Sequence, residues 1–282
     1  MNLGSWQLDT VDGGTFSIDG GVVYGVVPKT LWQNVNSPDE QNRLQFRNNC
    51  VLARDGNQTI LIDTGYGGKH LALDRRFYEM DEGEPLLRSL DALGVGPDDI
   101  DLVVLSHLHF DHAGGATRNI PGRGLAPTFG RARHLVGWME WEDALSGAPE
   151  IQSAYPQENL TPLLESANIE LLQGDESIVP GLRARLTGGH TRGHLAFMFE
   201  SDGQTALYLG DLCATTTHLH PMWNLSYDTF PLQTRTVKPK LLTEACDGQW
   251  WVLWTHDMKV AAGRLTRHPK RGFQVVEPQE RL

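Results

Sequence analysis

The segment His-Leu-His-Phe-Asp-His, residues 107–112, is the stretch of this chain that decides its fold. It directly follows the apolar run 102–105, which predicts a buried strand, and it leads into Ala-Gly-Gly at 113–115. Three histidines and one aspartate within six positions are hard to explain by packing alone. Imidazole and carboxylate together favour divalent ions such as zinc, manganese, iron or cobalt, so the segment predicts a metal site.

The spacing of these four polar residues predicts two neighbouring ions. His107 and His109 are two positions apart, so in extended backbone their side chains point the same way and can bind one ion. Asp111 and His112 lie where the chain turns toward a helix, and from there they can reach a second ion beside the first. Further ligands must then come from elsewhere in the chain.

Three candidates for these further ligands lie in the second half of the sequence. His190 follows a Thr-Gly-Gly turn, Asp211 follows the strand-like run 206–210, and His256 follows the apolar run 250–254. Each of the three therefore ends a segment with strand character. Because the carboxyl ends of parallel or mixed strands meet at one edge of a sheet, we expect these side chains to come together.

Taken together, these segments resemble those of the metallo-β-lactamase-fold hydrolases, from about Gly13 to His256. The resemblance extends to Thr-Ile-Leu-Ile-Asp-Thr-Gly at 59–65 and Gly-His-Thr-Arg-Gly-His at 189–194. It implies a four-layer αβ/βα sandwich, whereas periodicity alone gives only an α/β or α+β class. It also implies two divalent ions per chain, with zinc first and manganese, iron or cobalt as alternatives. The implied ligands are His107, His109 and His190 on one ion, Asp111, His112 and His256 on the other, and Asp211 bridging both.

Two further polar residues are predicted to support the ligands rather than to bind metal. Asp63 stands in Asp-Thr-Gly after a strand, where a buried carboxylate can hold the ligand loops by hydrogen bonds. His194 is predicted to have a similar supporting or structural role. For His70, His134 and His268 no metal partner can be named from the sequence, so an ordinary structural or solvated role is expected.

The resemblance also implies a hydrolytic mechanism. Two ions a few ångström apart lower the pKa of a shared water, and the bridging hydroxide then attacks a lactone or ester carbonyl. By analogy with the family, Asp111 passes a proton to the leaving alkoxide. The sequence offers no serine or cysteine nucleophile with a partner base.

The segment 210–228 is similar to quorum-quenching N-acyl homoserine lactonases, and the same signature occurs in methyl-parathion-hydrolase-like enzymes. The resemblance therefore implies ring opening of N-acyl homoserine lactones as the main expectation. One position departs from it, because some lactonases carry a tyrosine three residues after the bridging aspartate that hydrogen-bonds the substrate carbonyl. Here that position is Ala214.

Several alternatives stay open at this point. One is an organophosphate or aryl ester hydrolase of the same fold. Another is a glutathione thioesterase or a sulfur dioxygenase of the same fold, which would use iron or zinc and a glutathione-type thioester. A non-enzymatic module with a structural metal is disfavoured, because structural zinc sites are commonly four-coordinate with cysteine, and the predicted ligands include none.

An acyl substrate requires an apolar groove beside the metals. Phe110 lies inside the metal motif and is the first candidate to line such a groove. Large apolar side chains elsewhere in the chain could extend it, and a histidine could lie at its mouth. These further candidates are Trp138, Met222, Trp223 and His218.

Composition and charge exclude other classes of protein. The net charge of −11 argues against a nucleic-acid partner, because phosphate binding requires a basic surface. The first residues lack a signal-peptide pattern, no apolar run is long enough to span a membrane, and three cysteines at unrelated spacings predict no disulfide framework. We therefore expect a cytoplasmic enzyme with residues 1–282 in one domain and a small-molecule lactone or ester as partner. A homodimer is compatible with the resemblance.

Local patterns predict several elements outside the metal motif. Glycine pairs at 13–14 and 20–21 predict a hairpin over 13–27, and a turn at 54–57 predicts a second hairpin. The segment 229–246 has helical character, and Pro239 should break or kink it.

Overall fold

A computed structural model describes residues 1–70, 72–166 and 168–282 of the chain. Within this part, the first half forms a seven-stranded sheet with the order β1-β2-β3-β4-β5-β8-β9, and β6 and β7 form a separate hairpin. The strands are β1 (Asn2–Leu3), β2 (Trp6–Asp19), β3 (Arg43–Arg54), β4 (Thr59–Ile62), β5 (Leu102–Val104), β6 (Thr117–Ile120), β7 (Gly124–Pro127), β8 (Arg133–Gly137) and β9 (Ile169–Leu172).

The second half of the described chain forms another seven-stranded sheet, in which the strands follow one another in sequence order. Its strands are β10 (Glu176–Val179), β11 (Leu182–Leu186), β12 (Leu195–Ser201), β13 (Gln204–Tyr208), β14 (Trp251–Leu253), β15 (Ala262–His268) and β16 (Gly272–Gln279). All neighbours are antiparallel except β13 and β14, which are parallel. Strands β11, β13 and β14 therefore run in the same direction, and their carboxyl ends lie at one edge.

Helices cover the outer faces of both sheets. Apolar side chains of α4, α6 and α7 pack on the first sheet, and those of α8 pack on the second. The arrangement is helix, sheet, sheet, helix, as the four-layer prediction requires, so the predicted fold is confirmed. The helices are α1 (Gly20–Tyr24), α2 (Lys29–Trp32), α3 (Ala72–Tyr78), α4 (Pro85–Asp91), α5 (Phe110–Ala113), α6 (Trp138–Leu145), α7 (Gln157–Ser166) and α8 (Pro231–Asp247).

The strand before the metal motif is buried on both faces, which explains its continuous apolar sequence. Leu102 and Val104 point into the core between the two sheets, while Val103 points into the core beneath the helices. Successive side chains of a strand alternate between faces, so both faces must be apolar here. Strand β5 lies parallel to β4 and β8, and its carboxyl end carries the ligand segment to the edge of the sheet.

The predicted turn at residues 13–14 is wrong, and Pro239 does not break the helix that contains it. Residues 13–14 make a bulge inside the long strand β2 instead of a turn, between Asp12 and Thr15. A Cβ atom at Gly13 would lie 2.8 Å from the Cα of Gly65, so the glycine is required for close approach of two backbones. Helix α8 continues through Pro239, with buried side chains on both sides of the proline.

The second predicted hairpin is confirmed, because β3 and β4 pair as antiparallel strands around the turn at 55–58. Among the described residues, no helix has the length and apolar character that a membrane span requires.

Candidate metal centre

The seven side chains predicted as metal ligands converge at the edge where the two sheets meet. The chain reaches this point from the ends of β5, β11, β13 and β14. Their ligand atoms form three overlapping groups, within each of which all atoms lie within 4.8 Å of one another. The groups are His107, His109 and His190; His107, His112 and Asp211; and Asp111, His112 and His256.

Asp211 lies between the two ligand sets with one carboxylate oxygen toward each. Its Oδ2 atom is 3.5 Å from Nε2 of His190, in the first set. Its Oδ1 atom is 3.3 Å from Nε2 of His112 and 3.0 Å from Nε2 of His256, in the second set. A buried carboxylate with this placement has the geometry that a bridging ligand requires.

Asp111 lies at the border between the second ligand set and solvent. Its Oδ2 atom is 3.4 Å from Nε2 of His256 and 3.7 Å from Nε2 of His112. The residue stands in the short helix α5, which begins after His109 in extended backbone. This turn from strand to helix is what directs Asp111 and His112 away from the first set and toward His256.

The donor atoms of the site fit bound cations. The Nε2 atom of His107 is buried and has no hydrogen-bond partner in the part of the chain that the structure describes. Nitrogen also faces nitrogen at two places, with 3.0 Å between Nε2 of His190 and Nδ1 of His109 and 3.2 Å between Nε2 of His112 and that of His256. Converging lone pairs of this kind suit a cation. Burial also lowers the pKa of His107 and His109 well below the ordinary value, and this keeps both rings neutral.

Hydrogen bonds behind the histidines set which ring nitrogen faces the site. Nδ1 of His112 lies 2.8 Å from Oδ2 of Asp63, and Nδ1 of His190 lies 2.8 Å from Oδ1 of Asp228. With Nδ1–H donating to a carboxylate, Nε2 is left without a proton and is free to bind metal. The carbonyl oxygen of Arg47 lies 3.2 Å from Nδ1 of His256 and can accept in the same way.

Asp63, predicted to support the ligands, binds three elements at once. Its carboxylate accepts hydrogen bonds from the backbone N–H and the hydroxyl of Ser106, each at 2.7 Å, and from the hydroxyl of Tyr208, also at 2.7 Å. The backbone of Asp63 is left-handed, with φ of 57°, a conformation that aspartate tolerates better than most residues. One carboxylate thus joins the strand before the metal motif, the second sheet and His112.

His194, the other predicted support, orients the bridging residue. Its Nε2 atom accepts a hydrogen bond of 3.0 Å from the backbone N–H of Asp211, and its Nδ1 atom lies 2.6 Å from the hydroxyl of Thr187. A Cβ atom at Gly210, where φ is 53°, would lie 2.5 Å from that Nε2 atom. Only glycine therefore allows this contact.

Glu140 is a supporting residue that sequence reasoning missed. It is fully buried and accepts hydrogen bonds from the N–H of Leu108, the hydroxyl of Tyr155 and the hydroxyl of Thr191. Leu108 lies between two ligands of the first set, and Thr191 follows the third. One carboxylate therefore joins both ligand loops, although burial raises its pKa. Glu140 is one of three acidic residues in an amphipathic helix, and nothing in the sequence distinguishes it for such a role.

A cleft of about 480 Å³ opens from the ligand set. Asp111 and His109 stand at its inner end, and apolar or aromatic side chains form much of its wall. Phe110 packs edge-on against Phe16, with ring centroids 6.2 Å apart, and lies 5.9 Å from the ring of Tyr78. The wall includes Phe16, Ile18, Val22, Tyr78, Phe110 and Ile151.

Four other residues predicted for the groove or its mouth lie outside this cleft. The ring of Trp138 is next to Arg192, and Met222 is largely exposed. Trp223 packs against the ring of His220. His218 is buried, stacks on Tyr24 at 5.3 Å and has Nε2 3.0 Å from the carbonyl oxygen of Val23. Trp223 and His218 thus pack within the segment between β13 and α8 and its neighbours.

Tyr227 is a cleft residue that sequence reasoning did not single out. Its ring lies edge-on to His190 at 5.4 Å and is 6.4 Å from the ring of His109, so it borders the first ligand set. The neighbouring Asp228 is the partner of His190. The signal that could have found both residues is their place in the lactonase-like segment that follows Asp211.

The chain is similar in sequence and in fold to known proteins. The model of the metallo-beta-lactamase superfamily matches residues 44–231. An N-acyl homoserine lactonase of Bacillus thuringiensis is 29% identical over 172 residues, which are 57% of this chain and 61% of the relative. The N-acyl homoserine lactonase AiiB of Agrobacterium fabrum is 31% identical over 189 residues, 61% of this chain and 65% of the relative. The chain therefore spans less than two thirds of the length of either relative.

Solved structures extend the likeness to the whole fold. A probable metal-dependent hydrolase from Staphylococcus aureus superposes with a TM-score of 0.90 at 29% identity, over 99% of this chain and 100% of the other. AidC, a dizinc quorum-quenching lactonase in complex with a product, superposes with a TM-score of 0.79 at 21% identity, over 99% and 96% of the two chains. At the latter identity the likeness shows the fold alone.

Proposed function

The chain belongs to the metallo-β-lactamase superfamily, and from this premise we propose that it is a binuclear metal-dependent hydrolase that opens the ring of N-acyl homoserine lactones. The observation that carries the proposal is the apolar cleft that ends on the ligand set. An N-acyl homoserine lactone has the matching shape, with a polar ring at one end and a flexible acyl chain at the other. The relatives named as lactonases support the same choice.

The proposed cofactors are two divalent cations, with zinc as the first choice. The donor atoms are imidazole nitrogens and carboxylate oxygens, which zinc accepts, and manganese, iron and cobalt accept them too. When bound, such a pair acts as a Lewis acid and lowers the pKa of a nearby water. We assign the first ion to His107, His109 and His190, the second to Asp111, His112 and His256, and the bridge to Asp211.

Asp111 is the residue we propose for proton transfer. It is the one carboxylate among the ligands that also lines the cleft, and its Oδ2 atom lies at the inner end of the site. Hydrolysis adds the oxygen of a water to the lactone carbonyl carbon and breaks the bond from that carbon to the ring oxygen. The proton lost by the water then passes through Asp111 to the alkoxide of the opened ring.

Phe110 is expected to contact the acyl chain. We predict that Phe110→Ala raises KM by about 10-fold for a decanoyl substrate and by less than about 3-fold for a butanoyl one, because a long chain loses more apolar contact. Steady-state kinetics across the chain lengths measure both values, and the short substrate serves as the internal control. Equal changes for both substrates would remove Phe110 from the acyl site.

The experiment that tests the proposed function is a substrate panel. Purified protein, loaded with zinc or treated with a chelator, is assayed for ring opening of N-acyl homoserine lactones by proton release. Paraoxon-type and aryl esters and a glutathione thioester are assayed beside them. Metal-dependent lactone turnover well above the others supports the proposal. Fast ester or thioester turnover without lactone turnover would move the enzyme to another branch of the superfamily.

Location and assembly remain predictions. The three cysteines, at positions 50, 213 and 246, are buried and unpaired, which suits the reducing cytoplasm that we expect from the sequence. The proposed partner is a small-molecule lactone, and a homodimer stays a prediction that sedimentation or light scattering can test.

A further inference from the structure

Tyr227 stands out among the tyrosines of the chain, of which there are six. Four of them place the hydroxyl in a hydrogen bond within the protein: Tyr24 with Thr217, Tyr66 with Thr15, Tyr155 with Glu140 and Tyr208 with Asp63. Among the described residues, Tyr78 and Tyr227 have no such partner for the hydroxyl, and both line the cleft. Their donors are therefore available to a ligand.

Of these two tyrosines, Tyr227 borders the reacting end of the cleft. Its ring lies against His190 and His109, two members of the first ligand set. The ring of Tyr78 instead lies against Phe110, on the apolar wall. The two tyrosines therefore lie at different parts of the cleft.

The loop that carries Tyr227 is held firmly from two sides. Asp228 contacts His190 through Oδ1 and accepts a hydrogen bond of 3.0 Å from the side chain of Asn224 through Oδ2. From helix α8, Arg235 donates to Asn224 at 2.9 Å, and the buried ammonium of Lys238 donates to the carbonyl of Trp223. A donor fixed in this way needs no reorganisation when charge develops on a substrate.

Position 214 leaves any recognition of the substrate carbonyl by a side chain to another residue. The resemblance to some lactonases implies a tyrosine at this position that hydrogen-bonds the substrate carbonyl, whereas Ala214 has only a methyl group. The residue is buried, and its backbone carbonyl accepts a hydrogen bond of 2.9 Å from the N–H of His256. The side chain at position 214 can therefore donate no hydrogen bond to a substrate in the cleft.

We propose that the hydroxyl of Tyr227 donates a hydrogen bond to the lactone carbonyl oxygen of the substrate and so replaces the tyrosine that is missing at position 214. The inference rests on the proposed lactonase function. Attack at the carbonyl carbon moves negative charge onto that oxygen, so the hydrogen bond strengthens as the reaction proceeds. A phenol keeps its proton at neutral pH, and Tyr227 donates without losing it.

The test compares Tyr227→Phe with Tyr24→Phe, which removes a tyrosine hydroxyl that lies outside the cleft and bonds to Thr217. For Tyr227→Phe we expect kcat/KM for lactones to fall about 10- to 100-fold, mainly through kcat, as for the loss of one oxyanion donor. The loss should be the same for short and long acyl chains, and metal content should equal that of the wild type. For Tyr24→Phe we expect a change of less than about 3-fold, because this hydroxyl does not border the cleft.

Three outcomes would overturn the inference. One is Tyr227→Phe activity within about twofold of the wild type, and another is an equal loss in both variants. The third is a loss of bound metal in Tyr227→Phe, since that would make the residue a support for His190.

The wild-type lactone rate, measured in the same series, separates the two proposals. An active wild type with an unaffected variant contradicts only the role of Tyr227, and an inactive wild type contradicts the lactonase function as well.

Discussion

Asp211→Asn is expected to lower kcat/KM on the best lactone by about a thousandfold, a loss at the upper end for one electrostatic group in an active site. The carboxylate directs one oxygen to each ligand set. An asparagine offers one carbonyl oxygen and no net charge, so it can serve only one of the two sets. We therefore also expect the variant to bind fewer than two metal ions per chain, measured by elemental analysis after gel filtration.

A matched control is available at the opposite end of the strands. Asp101 precedes β5 and accepts a hydrogen bond from the N–H of Thr59, far along the sheet from the ligand loops. Asp101→Asn should keep two ions and activity within about twofold of the wild type, as surface changes usually do. Circular dichroism would verify that both variants are folded. Full activity together with two ions in Asp211→Asn would contradict the bridging assignment.

The convergence of the seven predicted ligands could be inferred from the sequence because each of them is tied to a short local pattern. The segment 107–112 follows a buried strand, so its sequence fixes both the point where the strand ends and the residues found there. Asp211 and His256 follow β13 and β14, which are parallel neighbours. Strand ends are visible in a sequence, and the topology of the sheets brings those ends together.

The supporting residues were less predictable because their roles depend on long-range contacts. Asp63 could be inferred from its position after a strand, but Glu140 lies in a helix, and its partners Leu108 and Thr191 are 32 and 51 residues away in the chain. Asp228 and Tyr227 lie in an irregular loop without periodicity. No pattern of local spacing indicates which side of such a loop faces the cleft.

The same reason explains why four residues predicted for the groove or its mouth lie outside the cleft, namely Trp138, Met222, Trp223 and His218. The size and polarity of a side chain do not show which way it points. His218 lies only seven residues from Asp211, yet it turns inward and stacks on Tyr24. Phe110 is different because it lies between two ligands, His109 and Asp111, in a helix that begins at the site. The backbone that positions these two ligands therefore also sets the direction of the Phe110 side chain.

Glycine patterns were misleading for a physical reason. A glycine pair commonly marks a turn, but at 13–14 it allows another part of the chain to approach β2 closely. A Cβ atom at Gly14 would lie 2.3 Å from the ring of Tyr66, which belongs to the loop after β4. The sequence shows that a side chain is absent, and only the fold shows what occupies the space.

Removal of metal is expected to abolish activity and to lower the thermal stability of the protein. Without cations, the site holds buried imidazoles and two carboxylates, Asp111 and Asp211, whose desolvation is not offset. An ion that binds only the folded chain stabilises it by about 4 kcal/mol when its free concentration is 1,000 times Kd. For a chain of this size we expect the unfolding midpoint to fall on the order of 10 °C after chelation.

Titration of the metal-free protein tests the number of ions as well as their necessity. If both ligand sets must be filled, activity and the unfolding midpoint should rise until two equivalents of zinc are added. The same titration with manganese, cobalt and iron would identify the preferred ion by the order in which activity recovers. His107→Ala is the informative companion, because it removes a buried nitrogen that otherwise has no hydrogen-bond partner in the described chain. In that variant the midpoint should depend less on added metal. Full recovery at one equivalent would contradict the binuclear proposal, and full activity in the presence of chelator would contradict metal dependence itself.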